Sequence, residues 1–295
     1  MNENFRIEDF VKERQKDPEA AGRNAMKRIA AINDMSGFGK CSLTVALPII
    51  SAMGIQCCPL PTSILSNQTG YPDFYCVDFT EHMRKYIDQW RRLDLHFDGI
   101  VSGFLGSLEQ IQIVSEFIDE FRVSGTRVIV DPAMADGGRL YSTITTHMAK
   151  AMTDLVAKAD TIKPNLTEAC ILTERRYRED MSMAELQSMA EQLSLLGPSQ
   201  IVITGISSGS DLINLCYEKG QGFFEVKTPR IGGGRSGTGD IFSSILAGCA
   251  VKGVSFRESV ETASRFISRS VARASELDIP LNDGVCFEEF LGDLG

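Results

Sequence analysis

From Met26 to about residue 274 the chain alternates short β-branched runs with longer helix-patterned segments, and this alternation restricts its fold more than any other feature. Strands are expected at 29–32, 55–59, 99–101, 126–130, 161–162 and 200–203. Helices at 42–53, 80–93, 108–123, 145–158 and 184–196 are interleaved with them. Gly54 stands where a C-cap is needed. Segments 214–217 and 222–226 read as a hairpin, and 239–251 and 256–274 as two closing helices. Strands alternating with helices imply parallel βαβ units, so the expected class is α/β, a mainly parallel sheet with helices on both faces. In such sheets ligands gather beyond the carboxyl ends of the strands, and polar residues that follow strands become the candidates for chemistry.

The bulk properties narrow the partners. With 295 residues, 43% hydrophobic and 23% charged, the chain can bury a large core without disulfide or metal staples. No linker or repeat divides it, so residues 26–295 are expected to form a single domain, preceded by a polar, charge-rich extension at 1–25. A net charge of −9 disfavours nucleic acid and anionic membranes as partners. Eight cysteines without a C-x-x-C pair and three scattered histidines argue against a zinc site and for reduced thiols. The charged N-terminus and the lack of a long apolar run point to a cytoplasmic protein.

Near the C-terminal end the chain reads Gly232-Gly233-Gly234-Arg235-Ser236-Gly237-Thr238-Gly239-Asp240 and then turns apolar. A glycine loop running into a helix leaves unpaired amides at the positive end of the dipole, a good seat for phosphate. Asp240 adds a carboxylate able to take a proton from an alcohol while the amides hold the group being moved. The same residues also suit an ordinary helix-capping loop. Gly232, Gly234 and Gly237 fit the dinucleotide G-x-G-x-x-G spacing, but the preceding Lys227-Thr228-Pro229-Arg230 is not the strand that fingerprint requires. No glycine stands five residues before Gly39-Lys40, which removes a Walker-type loop.

Four further polar segments fall at strand ends: Asn33-Asp34-Met35-Ser36-Gly37-Phe38-Gly39, Ser66-Asn67-Gln68-Thr69-Gly70-Tyr71, Asp131 to Tyr141, and Lys163-Pro164-Asn165-Leu166-Thr167-Glu168. Taken singly, each has a bland reading. Glu168 suits the first turn of any helix, Asp131-Pro132 ends a strand, Thr69-Gly70 makes a turn and Phe104 fits a core. Taken together and in this order, they resemble the ribokinase-like superfamily, and within it the pyridoxal kinases, over nearly everything from Met26 onward. Gly237-Thr238-Gly239-Asp240 is similar to the superfamily signature, Asn165-x-x-Glu168 to its second motif, and Ser66-Asn67-x-Thr69-Gly70-Tyr71 to a stretch of pyridoxal kinases.

The resemblance implies a three-layer sandwich and ATP-dependent phosphorylation of the 5′-hydroxymethyl group of a B6 vitamer. It makes Asp240 the base and gives the amides of Gly237, Thr238 and Gly239 the role of anion hole. It puts Mg²⁺ under Glu168, with Asp136 beside the cation, and names K⁺ as a further candidate ion. Asp131, Asp136, Tyr141, Asn165 and Thr204 match positions on the nucleotide side. Lys163, where a threonine is usual, is either a cation that reaches a nucleotide phosphate or a solvated side chain, and Arg235, just before the anion hole, is a candidate to neutralise the transferring phosphate. Asp34, Ser36, Thr69 and Phe104 match positions near the pyridine ring. Related kinases are commonly dimers, which makes a homodimer the expected assembly. Asp34 also resembles the Asp-Ser-Ser segment of hydroxymethylpyrimidine kinases, so phosphorylation of that substrate stands as an alternative. Phosphorylation of a sugar is weaker, since the N-terminal half offers few hydroxyl-binding residues. A noncatalytic vitamer or nucleotide carrier would need no base, and the presence of Asp240 with Glu168 disfavours it.

Overall fold

A computed structural model describes residues 26–295; the extension expected at 1–25 lies outside the described residues. The chain builds β1 (Arg28–Ser36), α1 (Leu43–Ala52), β2 (Gln56–Leu65), β3 (Cys76–Asp78), α2 (Thr80–Arg92), β4 (Gly99–Ser102), α3 (Leu108–Phe121) and β5 (Arg127–Val130). A small hairpin follows, β6 (Ala135–Asp136) and β7 (Arg139–Leu140), then α4 (Thr146–Val156), β8 (Thr161–Ile162), α5 (Leu166–Leu172) and α6 (Met183–Leu195). Strands β9 (Gln200–Ser208), β10 (Asp211–Glu218) and β11 (Gly222–Pro229) precede α7 (Thr238–Lys252) and α8 (Phe256–Glu276).

Among the described residues nine strands form one sheet in the order β11-β10-β9-β8-β5-β4-β1-β2-β3. The pairs from β9 through β2 are parallel, and antiparallel strands finish both edges. Side chains alternate across the sheet, so neighbours in β1 enter different cores. Ile29 and Ala31 pack with Leu43, Ile245 and Val260 from α1, α7 and α8. Ala30 and Ile32 pack with Met83, Phe117, Met152 and Leu193 from α2, α3, α4 and α6. The result is the expected helix–sheet–helix sandwich.

Three differences from the sequence-based expectation matter for the site. First, β1 does not stop at Ile32. It pairs with β2 as far as Ser36, with a register shift between Asn33 and Met35. A bulge of this kind re-aims side chains. Second, β2 runs past Pro59 and Pro61 to Leu65, because β3 pairs only with its residues Ser63 to Leu65 and leaves an open edge where the prolines lack a donor. Third, β9 continues to Ser208, so Thr204 lies inside the strand rather than just after it.

Candidate active site

The amino end of α7 sets the geometry. Its N-cap, Gly237, has φ 79°, in the left-handed region. A Cβ there would stand 1.9 Å from the Lys40 carbonyl oxygen, so both conformation and space demand glycine. The first-turn amides of α7 have no carbonyl a turn earlier to bond, and point with the dipole toward the ends of β1, β5 and β8. The Thr238 hydroxyl donates back to the Arg235 carbonyl at 3.1 Å and steadies the turn.

Asp240 is half-buried in that first turn. Its Oδ1 accepts from the Asn33 side-chain amide at 3.0 Å, and the Ser42 backbone amide also bonds to its carboxylate. Asn33 Oδ1 in turn accepts from the backbone amides of Phe104, at 2.9 Å, and Asp34, at 3.0 Å. The bulged end of β1 thereby locks the orientation of Asp240. Burial pushes the Asp240 pKa up to about 7, helped by the Asp34 and Asp131 charges and opposed by the Ser42 amide and Lys163. Asn33 was visible only as one polar residue in a strand-end segment; its partner is 207 positions away.

Beside Asp240 lies a second group of charges. Asp131, following β5, pairs with Lys163, following β8, at 3.0 Å, and the Ser243 hydroxyl of α7 donates to the same Asp131 Oδ2 at 2.9 Å. Glu168 is only 2% exposed. It forms a capping box with Asn165: the Glu168 amide donates to Asn165 Oδ1 at 2.9 Å, and Glu168 Oε2 accepts from the Asn165 amide at 2.8 Å. Its Oε1 accepts from the Met134 amide at 3.1 Å. Burial, then Asp131, raises its pKa to about 8, against the pull of Lys163 and these amides. Asn165 also donates to the Ala135 carbonyl at 2.7 Å and bridges to Thr204 in β9. A cavity of about 20 Å³ between Asn33, Ser102, Asp131, Asp240 and Ser243 is water-sized. A substrate must therefore lie outside it, over the half-buried face of Asp240.

The hairpin of β6 and β7 carries Asp136 and leads into Tyr141. Gly137 and Gly138 both have positive φ, as a two-residue turn of type I′ needs. Asp136 is exposed and accepts from the Gly137 amide at 2.8 Å. Burial, then the carboxylates of Glu168, Asp136, Asp131 and Asp240, raises the Tyr141 hydroxyl pKa, which puts this side chain in the same electrostatic neighbourhood.

Other expected residues sit differently. Asp34 is 7% exposed, and its two oxygens accept from Ser42 at 2.6 Å and Ser36 at 2.9 Å. The continuation of β1 turns it inward, so Asp34 and Ser36 brace the loop from Gly39 to Ser42 instead of presenting polar atoms to a ring. Lys40 and Ser42 of that loop have positive φ. Arg235 is a correction. Its guanidinium donates to the Ile279 carbonyl at 2.7 Å and reaches Pro280, Gly284 and Ser275, which fastens the glycine loop to the C-terminal segment rather than facing phosphate. Phe104 is half-buried beside Asn33, with its carbonyl accepting from Thr62 at 3.3 Å. Thr69 lies exposed on a loop whose neighbours hold Asn282 and Asp283 through Gln68, Gly70 and Tyr71.

A half-buried carboxylate among helix-terminal amides, at the carboxyl ends of a parallel sheet in a helix–sheet–helix sandwich, defines the ribokinase-like kinases of small molecules. Residues 47–282 match the sequence profile of the phosphomethylpyrimidine kinase family, and the chain belongs to that family. A Bacteroides thetaiotaomicron protein provisionally described as a phosphomethylpyrimidine kinase is 39% identical, with a TM-score of 0.90 over 92% of this chain and 94% of that one. A second crystal form of it, with pyridoxal, is 38% identical with a TM-score of 0.88 over 91% and 96%. The pyridoxine/pyridoxal/pyridoxamine kinase of Bordetella avium is 26% identical over 90% of this chain and 93% of its own length. The Arabidopsis thaliana thiamine biosynthetic bifunctional enzyme TH1 is 25% identical over 87% of this chain, which spans about half (48%) of that enzyme. Among the described residues no helix is long and apolar enough to cross a membrane.

Proposed function

We propose that this kinase transfers the γ-phosphoryl group of ATP to the 5′-hydroxymethyl group of pyridoxal, pyridoxine or pyridoxamine. The observation that carries the reading is Asp240 held by Asn33 beside the first-turn amides of α7, where burial pushes its pKa up to about 7. A base tuned to that range removes a proton most effectively near neutral pH. Asp240 takes the hydroxyl proton, the acceptor oxygen attacks phosphorus in line, and the amides of Gly237, Thr238 and Gly239 receive the charge that develops on the phosphoryl oxygens. Tyr141 and Thr204 border the nucleotide side.

The donor set suits Mg²⁺ arriving with ATP. Among the described residues no three acidic, histidine or cysteine side chains converge into a metal cage. Mg²⁺ keeps several waters and needs few carboxylates. Glu168 and Asp136 would hold it through water, and bound Mg²⁺ supplies positive charge at the phosphates. K⁺ remains part of the proposal only as an ion to vary in the assay.

Pyridoxal in the related Bacteroides crystal and the name of the Bordetella relative support a B6 vitamer. The family itself and the Arabidopsis thiamine enzyme favour a second reading, phosphorylation of hydroxymethylpyrimidine. ADP release measured against the three vitamers and hydroxymethylpyrimidine separates the two. Faster turnover of any vitamer upholds the first, faster turnover of the pyrimidine replaces it with the second, and no ADP release with any acceptor rejects both. A cytoplasmic homodimer belongs to the same proposal. The exposed Ile64 of β2, Val77 of β3 and Tyr75 just before β3 support the dimer, and sedimentation decides it.

A further inference from the structure

Lysine is the residue type least suited to burial without a task, yet Lys163 is only 5% exposed. It follows β8 directly, at the carboxyl end of the sheet. Its Nζ lies 3.0 Å from Asp131 Oδ2, an oxygen that Ser243 also holds. A methyl group placed on Gly239 would lie 3.5 Å from that Nζ and 3.9 Å from the Asp131 oxygen. The ammonium therefore rests against the backbone of the amide cradle. Burial works against its charge, but Asp131, Glu168 and Asp240 outweigh burial and hold its pKa above the ordinary lysine value.

A buried ion pair is a poor device for stability, because apolar replacements of similar volume are often neutral or better. Charge at this point has a clearer use. A phosphoryl group entering the cradle meets the carboxylates Asp131, Glu168 and Asp240. Two other cations of the adjoining loops face elsewhere: Arg235 holds carbonyls of the C-terminal segment, and Lys40 pairs with Glu288. Lys163 stands at the cradle itself.

We infer that Lys163 is a catalytic residue, the chain's own counter-charge for the phosphoryl group in flight, held at the floor of the amide cradle by Asp131 and Ser243. The inference rests on the kinase reading and deepens it, since it assigns Lys163 to the moving group rather than to anchoring the nucleotide. In the step, the bond between the γ-phosphorus and its bridging oxygen breaks, the bond to the acceptor oxygen forms, the acceptor proton goes to Asp240 and ADP leaves. Lys163 gives and takes no proton.

Lys163→Met keeps bulk and removes charge. Affinities for ADP alone and for ADP with tetrafluoroaluminate, a mimic of the group in flight, are measured with Mg²⁺ and pyridoxine present. The expected result is ADP affinity within about threefold of wild type, with mimic affinity and kcat each reduced about 100-fold. A kcat within about threefold, or equal weakening of ADP and mimic, overturns the inference. If the lone Asp131 charge prevents folding, the Asp131→Asn/Lys163→Met protein, which leaves neither charge unpaired, is put to the same comparison with the same criteria. Wild-type enzyme that releases no ADP with any acceptor would instead sink the kinase reading on which the inference rests.

Discussion

The proposed phosphate end of the site and its proposed acceptor end are built in opposite ways. At the phosphate end, Asp131, Lys163 and Glu168 are buried, and each is fixed by bonds to backbone or to other side chains. At the proposed acceptor end, Thr69 lies on an exposed loop, and Phe38, just beyond the bulged end of β1, is 55% exposed. Fixed charges in a dry setting suit the chemical step itself. Loops with exposed side chains suit a choice of substrate that can change without disturbing that step. Relatives named for B6 vitamers and for thiamine biosynthesis both align with this chain, and the proposed division predicts that they differ at the acceptor end.

Substitutions at the two ends should therefore separate turnover from selectivity. The largest effect is expected for Asp240→Asn, a loss of about 10³-fold in kcat with acceptor KM little changed, read by ADP release. Gly237→Ala comes next. The added methyl group meets the Lys40 carbonyl at 1.9 Å in a left-handed conformation, and distortion of the amide cradle should lower kcat about 100-fold and also lower Tm. Asn33→Ala frees the base to rotate and should reduce kcat about tenfold, with ATP KM unchanged. At the acceptor end, Phe38→Ala and Thr69→Val should leave kcat and ATP KM alone and shift acceptor KM values by a few-fold, differently for pyridoxine and hydroxymethylpyrimidine. Equal effects of both kinds of substitution on kcat would erase the contrast between the two ends.

The smallest effect is on stability. A carboxyl group whose folded-state pKa is raised from 3.8 to about 7 binds its proton more tightly folded than unfolded. Its ionisation therefore destabilises the fold progressively from about pH 4 to about 7 and by a constant amount above that. Asp240→Asn removes this burden. Its Tm should exceed that of wild type by a few degrees at about pH 8, and the gap should narrow at about pH 5.

The sequence made the interior of the sandwich legible because apolar runs such as Val128-Ile129-Val130 have one sensible home in a parallel sheet. Strand ends were not legible. Polar Asn33 to Ser36 reads as a loop, yet the ladder with β2 carries it on past a bulge. Short ladders such as β3 and the β6–β7 hairpin leave too few residues for a pattern. Asp240 and Glu168 stood out because helix entrances have a local signature. Arg235 could not be placed, since the carbonyls that capture its guanidinium lie more than forty residues further along the chain. Lys163 was legible as an oddity, and only the fold shows Asp131 and Gly239 against it.

The most direct test of Asp240 as the base is the pH dependence of kcat/KM for the preferred acceptor, from about pH 5.5 to about 8.5. The free enzyme should gain activity with rising pH, with a midpoint close to the Asp240 pKa of about 7, and the residual rate of Asp240→Asn should show no such limb. A flat wild-type profile, or the same limb surviving in Asp240→Asn, would place the proton on another group.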